Sequence, residues 1–157
     1  MNMEYKEIDS KIEDAIIKKF GSWVRDYDCL IRGEGCYLIA AMDGDVVAGF
    51  AALHPAQWMP PLEKYGDAFI EVIEVAPEYR RKGIGSELVK LMEDYASSYG
   101  YYQIRAWSEE SHVEALNMWY KLKYCMCPAA MLGESQIDGY ENKQIVGYYY
   151  AKLLNCK

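Results

Sequence analysis

Histidine is scarce in this chain: His54 and His112 are the only two among 157 residues. The five cysteines, Cys29, Cys36, Cys125, Cys127 and Cys156, are odd in number and irregular in spacing. That excludes a disulfide framework and leaves free thiols in a reducing compartment. Cys125 and Cys127 would share one face of a strand. A zinc site needs about four ligands, and no second cysteine or histidine pair accompanies them, so no metal is expected. A Cys–His nucleophile has no support beyond the presence of both residue types. Long apolar runs are missing too: no segment reaches the length of a membrane span, and no signal peptide opens the chain. The expectation is a cytoplasmic protein with no membrane partner. Positive charge is in deficit, with 17 Lys and Arg against 24 Asp and Glu and a net charge of −7. An acidic chain argues against nucleic acid, whose phosphates favour basic patches. It is compatible with a cationic or neutral substrate, and it favours solubility in any case.

What is present suits one globular domain over residues 1–157. The composition is 52% hydrophobic and 26% charged, enough for a core and without a disorder signature. Fifteen tyrosines include the run Tyr148, Tyr149 and Tyr150, which reads as strand with one face buried. Three of the five prolines, Pro55, Pro60 and Pro61, cluster around Trp58 and predict an exposed loop between strands.

Periodicity predicts a strand over Met3–Ile8 and a helix capped by Ser10, with Glu13 completing a capping box. A short second helix within Gly21–Glu34 follows. Cys36–Met42 and Val46–Leu53 read as strands joined by Asp43-Gly44-Asp45, a hairpin signal. Ala68–Val75 is a strand, Ser86–Tyr99 a helix stopped by Gly100, and Gln103–Trp107 a strand. A helix over Ser111–Leu122 precedes strands at Tyr124–Leu132 and Gln144–Leu154, with Gly139 in the loop between them. This order predicts an α/β (α+β layered) fold: a mixed, mostly antiparallel sheet of about six to seven strands flanked by helices. The passage from Ala68 to Trp107 should place two parallel strands with a right-handed crossover.

The chemistry concentrates in Val75-Ala76-Pro77-Glu78-Tyr79-Arg80-Arg81-Lys82-Gly83-Ile84-Gly85-Ser86. A strand ends, a proline turn follows and a helix begins. Three positive charges sit directly before two glycines, in a chain that is otherwise acidic. A helix N-terminus presents unpaired N–H groups and partial positive charge. Gly83 and Gly85 let the backbone approach a bulky anion. Arg80, Arg81 and Lys82 can add charge-assisted contacts, or face water. A nucleotide P-loop fits worse, because no Gly-Lys-Ser/Thr ending is present. A dinucleotide fingerprint fits worse, because Gly-x-Gly-x-x-Gly is absent.

Arg80-Arg81-Lys82-Gly83-Ile84-Gly85 resembles motif A, Arg/Gln-x-x-Gly-x-Gly/Ala, of the GNAT superfamily of acyl-CoA-dependent N-acyltransferases. Val75-Ala76-Pro77-Glu78-Tyr79, Ala115-Leu116-Asn117-Met118-Trp119-Tyr120 and the closing Tyr148–Leu154 strand look similar to that family as well. The resemblance runs from about Cys36 onward and is weakest before it. It implies acetyl-CoA as cosubstrate, direct attack by an amine on the thioester, and no covalent enzyme intermediate. It also implies that Ile73, Val75, Arg80, Arg81, Lys82, Gly83, Ile84, Gly85 and Ser86 hold the cosubstrate, with the backbone N–H at or near Val75 serving the oxyanion.

For the base, Glu71 matches the place where polyamine-acetylating members carry a glutamate; the other strand carboxylate is Glu74. Their odd separation puts them on opposite faces of a regular strand, unless a bulge intervenes. For the leaving thiolate, many members use a tyrosine in the late helix. Ala115 and Tyr124 both point to position 119, which is Trp119, and the tyrosine is Tyr120. An indole N–H donates a hydrogen bond but is no practical proton source. Lys123 replaces the glycine usual before the final aromatic. The expectation is an N-acetyltransferase with catalytic Glu71 and Tyr120 acting on a primary amine of a small molecule or peptide. The displaced tyrosine keeps a non-catalytic acyl-CoA-binding regulatory module open, and a homodimer is likewise left open.

Overall fold

The computed structural model describes residues 3–57, 65–133 and 143–154. The elements are β1 (Met3–Glu7), α1 (Ser10–Phe20), α2 (Trp23–Asp26), β2 (Tyr37–Asp43), β3 (Val46–Ala56), β4 (Asp67–Val75), α3 (Ile84–Tyr99), β5 (Gln103–Glu109), α4 (Val113–Lys121), β6 (Cys125–Gly133) and β7 (Lys143–Leu153). A 3-10 turn at Pro77–Tyr79 joins β4 to α3. The strands form one seven-stranded mixed sheet in the order β1-β2-β3-β4-β5-β7-β6, with the helices flanking it. This is the expected layered architecture. Pro55, expected in an exposed loop with Pro60 and Pro61, lies instead near the end of β3, opposite Ala68 of β4; the rest of that loop around Trp58, the loop at Gly139 and the thiol of Cys156 lie outside the described residues. By compactness the chain divides into two units, Met1–Ile104 with Leu153–Lys157, and Arg105–Lys152.

In the first unit α1 begins one residue away from the local pattern. Asp9 is the cap, and its carboxylate accepts from the Ile12 N–H at 2.8 Å, while Ser10 is already helical. Glu13 does not close a capping box: Arg32 reaches it at 2.7 Å and also donates to the Ile8 carbonyl at 2.9 Å. Aspartate caps as well as serine, and the partner of Glu13 comes from 19 residues further along the chain. Ile16 of α1, Val24 of α2 and Phe50 of β3 build a core on one face of the sheet. Phe20 meets Phe50 edge to face, with ring centroids 5.0 Å apart.

α3 packs against β2, β3 and β4 and buries Leu88, Val89 and Met92. It ends at Gly100, whose φ of 100° is left-handed and whose N–H reaches the Ala96 and Ser97 carbonyls. Beside that end Tyr37 stacks on Tyr95 at 4.4 Å, Tyr95 on Tyr99 at 5.9 Å and Tyr99 on Tyr101 at 4.9 Å. Tyr95 and Tyr101 donate to the Cys36 and Gly35 carbonyls at 3.1 and 2.8 Å, which ties the segment before β2 to the end of α3.

In the second unit Trp119 of α4 is buried, stacked on Tyr150 of β7 at 5.2 Å and edge-on to Tyr124 at 4.7 Å. Tyr150 shares a hydrogen bond of 2.8 Å with Ser108 of β5. β6 and β7 pair antiparallel from Cys125↔Ala151 to Gly133↔Lys143. α4 closes in a Schellman motif: Lys123 N–H donates to the Tyr120 carbonyl and Tyr124 N–H to that of Trp119, both at 3.1 Å. The Trp119–Tyr124 contact is the apolar pair that usually accompanies this motif. Lys123 therefore holds the left-handed position, φ 66°, where a glycine has no Cβ to strain.

Two substitutions check this account in urea unfolding. Lys123→Gly should stabilise the protein by ~1 kcal/mol, the left-handed cost for a residue with a Cβ. Asp9→Ala should destabilise it by ~1 kcal/mol, and Ser10→Ala much less.

Candidate active site

The phase of the β3–β4 pairing fixes what the end of β4 presents. Gly49 pairs with Val75 and Ala51 with Ile73, and the Ala76 N–H donates to the Ala48 carbonyl at 2.9 Å. Antiparallel partners alternate between hydrogen-bonded and non-hydrogen-bonded pairs. With Ala48 and Ala76 bonded, Ile73 and Val75 fall in non-bonded pairs, so their N–H and C=O groups point away from β3. Gly49 is required beneath them: a Cβ there would stand 2.7 Å from the Glu74 carbonyl oxygen.

After β4 the chain turns through Pro77–Tyr79 and Arg80 folds back. Its Nε donates to the Val75 carbonyl at 3.0 Å, and its guanidinium meets the Glu74 carboxylate at 3.1 Å. The first motif arginine thus braces the loop against β4. Its own N–H is also engaged, donating to the Pro77 carbonyl at 3.2 Å. Tyr79 donates to Asp43 at 3.1 Å, and the ammonium groups of Lys19 and Lys82 lie over its ring at 5.1 and 5.0 Å. Lys19 pairs with Glu78 at 2.8 Å, and that hydrogen bond holds the Glu78 carboxyl below its ordinary value. Arg81 and Lys82 are exposed.

Arg81 and Gly83 both take left-handed backbone, with φ of 62° and 84°. Alternation into this conformation aims successive N–H groups into a concavity that suits an anion. Nothing lies within 4 Å of the place where a Cβ of Gly83 would be. α3 starts there without a side-chain cap, and its first helical bond runs from Glu87 N–H to the Gly83 carbonyl at 3.0 Å. The N–H groups of Ile84, Gly85 and Ser86 precede that bond and have no acceptor within the helix. Ile84 is buried and anchors the turn, while Ser86 is exposed. An uncapped helix start behind left-handed backbone is an arrangement that can accept an anion.

The carboxylates of β4 lie otherwise than regular alternation predicts. The β3–β4 register shifts between Ala52, opposite Val72, and Leu53, opposite Ile70, so Glu71 is an extra residue with no partner across β3. This is a β-bulge, which re-aims a side chain. Glu74 is opposite Phe50 and shares its face, the face covered by α1 and α2. His54, four residues along β3 from Phe50, also belongs to that face. Glu71 joins them: its Oε2 lies 3.0 Å from His54 Nε2. Burial first and Glu71 second push the Cys29 thiol up, which places Cys29 in the same neighbourhood. His54 Nδ1 lies 2.9 Å from the Pro55 carbonyl. The hydrogen bond to Glu71 is the main cause that raises the His54 pKa, against burial, which lowers it. Neither carboxylate stands alone, since Glu74 has Arg80 and Glu71 has His54.

His54 is the candidate site residue that sequence reasoning missed. Its scarcity was visible, but its partner depends on the bulge, which the run Asp67-Ala68-Phe69-Ile70-Glu71-Val72 does not announce. On α4 the departure at position 119 is real: Trp119 faces the interior of its unit and Tyr120 is 67% exposed, about 100° further round the helix. His112 is exposed at the start of α4 and makes no side-chain cap. Among the described residues no group of three or more His, Cys, Asp or Glu could hold a metal, and no helix is long and apolar enough to cross a membrane.

A model of the acetyltransferase (GNAT) family matches residues 4–124. No curated protein matches the sequence. Among solved structures, Arabidopsis thaliana NAA60 in complex with a bisubstrate analogue is similar with a TM-score of 0.74 at 14% identity, covering 98% of this chain and 99% of that one. An N-acetyltransferase from Staphylococcus aureus gives 0.74 at 16%, covering 99% and 100%. YncA from Salmonella typhimurium, with its cofactor acetyl-CoA, gives 0.71 at 17%, covering 100% and 96%.

Gly83→Ala tests the phosphate cradle. The left-handed strain should cost about 1–2 kcal/mol in urea unfolding. The intruding methyl should raise the acetyl-CoA Kd in calorimetry about tenfold, or 1.4 kcal/mol.

Proposed function

The chain belongs to the acetyltransferase (GNAT) family, and we propose that it transfers the acetyl group of acetyl-CoA to a primary amine of a small molecule or peptide by direct attack. The observation that carries this reading is the uncapped start of α3, behind the left-handed Arg81 and Gly83 and directly after a strand whose Ile73 and Val75 turn their main-chain groups away from β3. In this proposal one acetyltransferase domain spans residues 1–157. The N–H groups of Gly83, Ile84, Gly85 and Ser86 hold the pyrophosphate, with charge from Arg81 and Lys82. Arg80 contributes by bracing Glu74 and the Val75 carbonyl. Ile73 and Val75 present main-chain partners to the pantetheine arm, and the Val75 N–H receives the developing oxyanion.

Glu71 serves as the proton acceptor. It stands on the face of β4 that carries His54, and its side chain keeps 35% of its surface open, enough to meet an incoming amine. An ammonium ion cannot attack, so removing a proton from the nitrogen is the demand the site must meet. As the C–N bond forms and the C–S bond breaks, the electron pair leaves on sulfur. We assign the proton for that thiolate to Tyr120, whose exposure leaves its hydroxyl accessible.

Release of CoA from acetyl-CoA across an amine panel tests the proposal, and no release above background would count against it. Glu71→Gln should lower kcat about 10²- to 10⁴-fold with little change in acetyl-CoA binding. Tyr120→Phe should also lower kcat; an unchanged rate would pass the donor role to water.

A further inference from the structure

The surroundings of His54 say more about the proton than the position of Glu71 does. Each ring nitrogen faces an acceptor: Nδ1 the Pro55 carbonyl at 2.9 Å, Nε2 the Glu71 carboxylate at 3.0 Å. A carbonyl oxygen only accepts, so Nδ1 carries a hydrogen. A carboxylate at that distance calls for a hydrogen on Nε2 as well. The geometry therefore belongs to an imidazolium–carboxylate pair in the resting protein. The proton that comes and goes is the one between Nε2 and Oε2, because the Pro55 carbonyl retains the other. Among the described residues, Cys29 lies in the field of Glu71 and Asp28 acts on Cys29, both from the segment after α2, and Glu74, on the same face of β4, is held by Arg80. Phe69 of β4, with its ring 5.8 Å from that of His54, brings no charge.

We propose that His54 is the proton-holding partner of Glu71, so that the group accepting the amine's proton is the His54–Glu71 pair and not a lone carboxylate. This rests on the reading of Glu71 as the acceptor. In its ready form the pair is neutral imidazole plus carboxylate, one proton short of the resting state. It takes one proton from the substrate nitrogen as the C–N bond forms, and returns to imidazolium plus carboxylate. His54, whose side chain is 22% exposed, then passes that proton to solvent. The magnitudes favour the pair. A bare carboxylate ionises near pH 4.3 and holds a proton poorly at neutral pH, whereas imidazole starts at about 6.5. An acceptor near the working pH is the better catalyst.

The direction on stability follows. The His54 pKa is raised in the folded protein, so its stabilising contribution is complete below the unfolded value of about 6.5 and is lost as pH rises through the folded value.

Nitrogen-15 NMR of the free protein tests the pair without any turnover. With two histidines in the chain, His112→Gln assigns the signals. The expected result is an imidazolium protonated at both nitrogens that loses its Nε2 proton with a pKa above 6.5, and a pKa that falls in Glu71→Gln. A pKa at or below 6.5, or one indifferent to Glu71→Gln, overturns the pairing. The activity arm is the pH profile of kcat/KM. The wild type should show an ascending limb at the His54 pKa. His54→Gln, which keeps a donor towards Glu71 but cannot titrate, should lose that limb and about 10²-fold in kcat while its acetyl-CoA Kd stays unchanged. A limb that persists in His54→Gln overturns the proposal even if turnover is robust. If the NMR result holds and no amine is acetylated, the acetyltransferase reading fails separately.

Discussion

Glu71 has no partner across β3, and much of the site depends on that unpaired residue. A strand side chain alternates faces with period two, so an inserted residue reverses the parity of everything beyond it. On one side of the bulge Leu53 meets Ile70; on the other Ala52 meets Val72, and the pairing then runs on to Gly49 and Val75. The insertion brings Glu71 to the face of Glu74 and His54. The phase beyond it turns the main-chain groups of Ile73 and Val75 away from β3. The facing of the side chains and the direction of the main-chain groups on β4 thus share one geometric cause.

The motif loop works by a related economy of charge. Arg80, Arg81 and Lys82 are adjacent in sequence and differ in role. Arg80 is held by Glu74 and the Val75 carbonyl, which fixes the angle at which the chain leaves the strand. Lys82 lies over the Tyr79 ring, and Tyr79 is itself held by Asp43 of β2. Arg81 adopts left-handed backbone despite its Cβ, a local strain that the surrounding turn must sustain. The result is an exposed cationic rim before an uncapped helix, in a chain whose net charge is −7. A field of that sign, confined to one turn, is where a polyanionic cosubstrate would settle.

The legible parts of the sequence were those whose cause is local. Strand alternation, the Asp43-Gly44 turn, the Gly100 stop and the glycine-rich start of α3 each follow from a few neighbouring residues, and each stands in the structure. The mismatch at Trp119 was also legible, because helical spacing from Ala115 and Tyr124 is a local measure; burial of Trp119 against Tyr150 gives its reason. The cap of α1 went to Asp9 where the pattern favoured Ser10, since Glu13 answers to Arg32 instead. Regular alternation would put Glu71 and Glu74 on opposite faces, and the bulge in β4 puts them on one. The sequence alone shows no role for His54, because a pairing 17 residues apart exists only through the register of two strands.

By itself the sequence determined the layered α/β fold, the glycine-rich turn before α3 and the family, because glycines, charges and apolar periods act on their immediate neighbours. The tertiary structure decided which face Glu71 takes, which arginine braces β4 and which side chain meets Glu71. Those outcomes turn on distances of about 3 Å between side chains from different strands, and a single inserted residue in β4 is enough to set them.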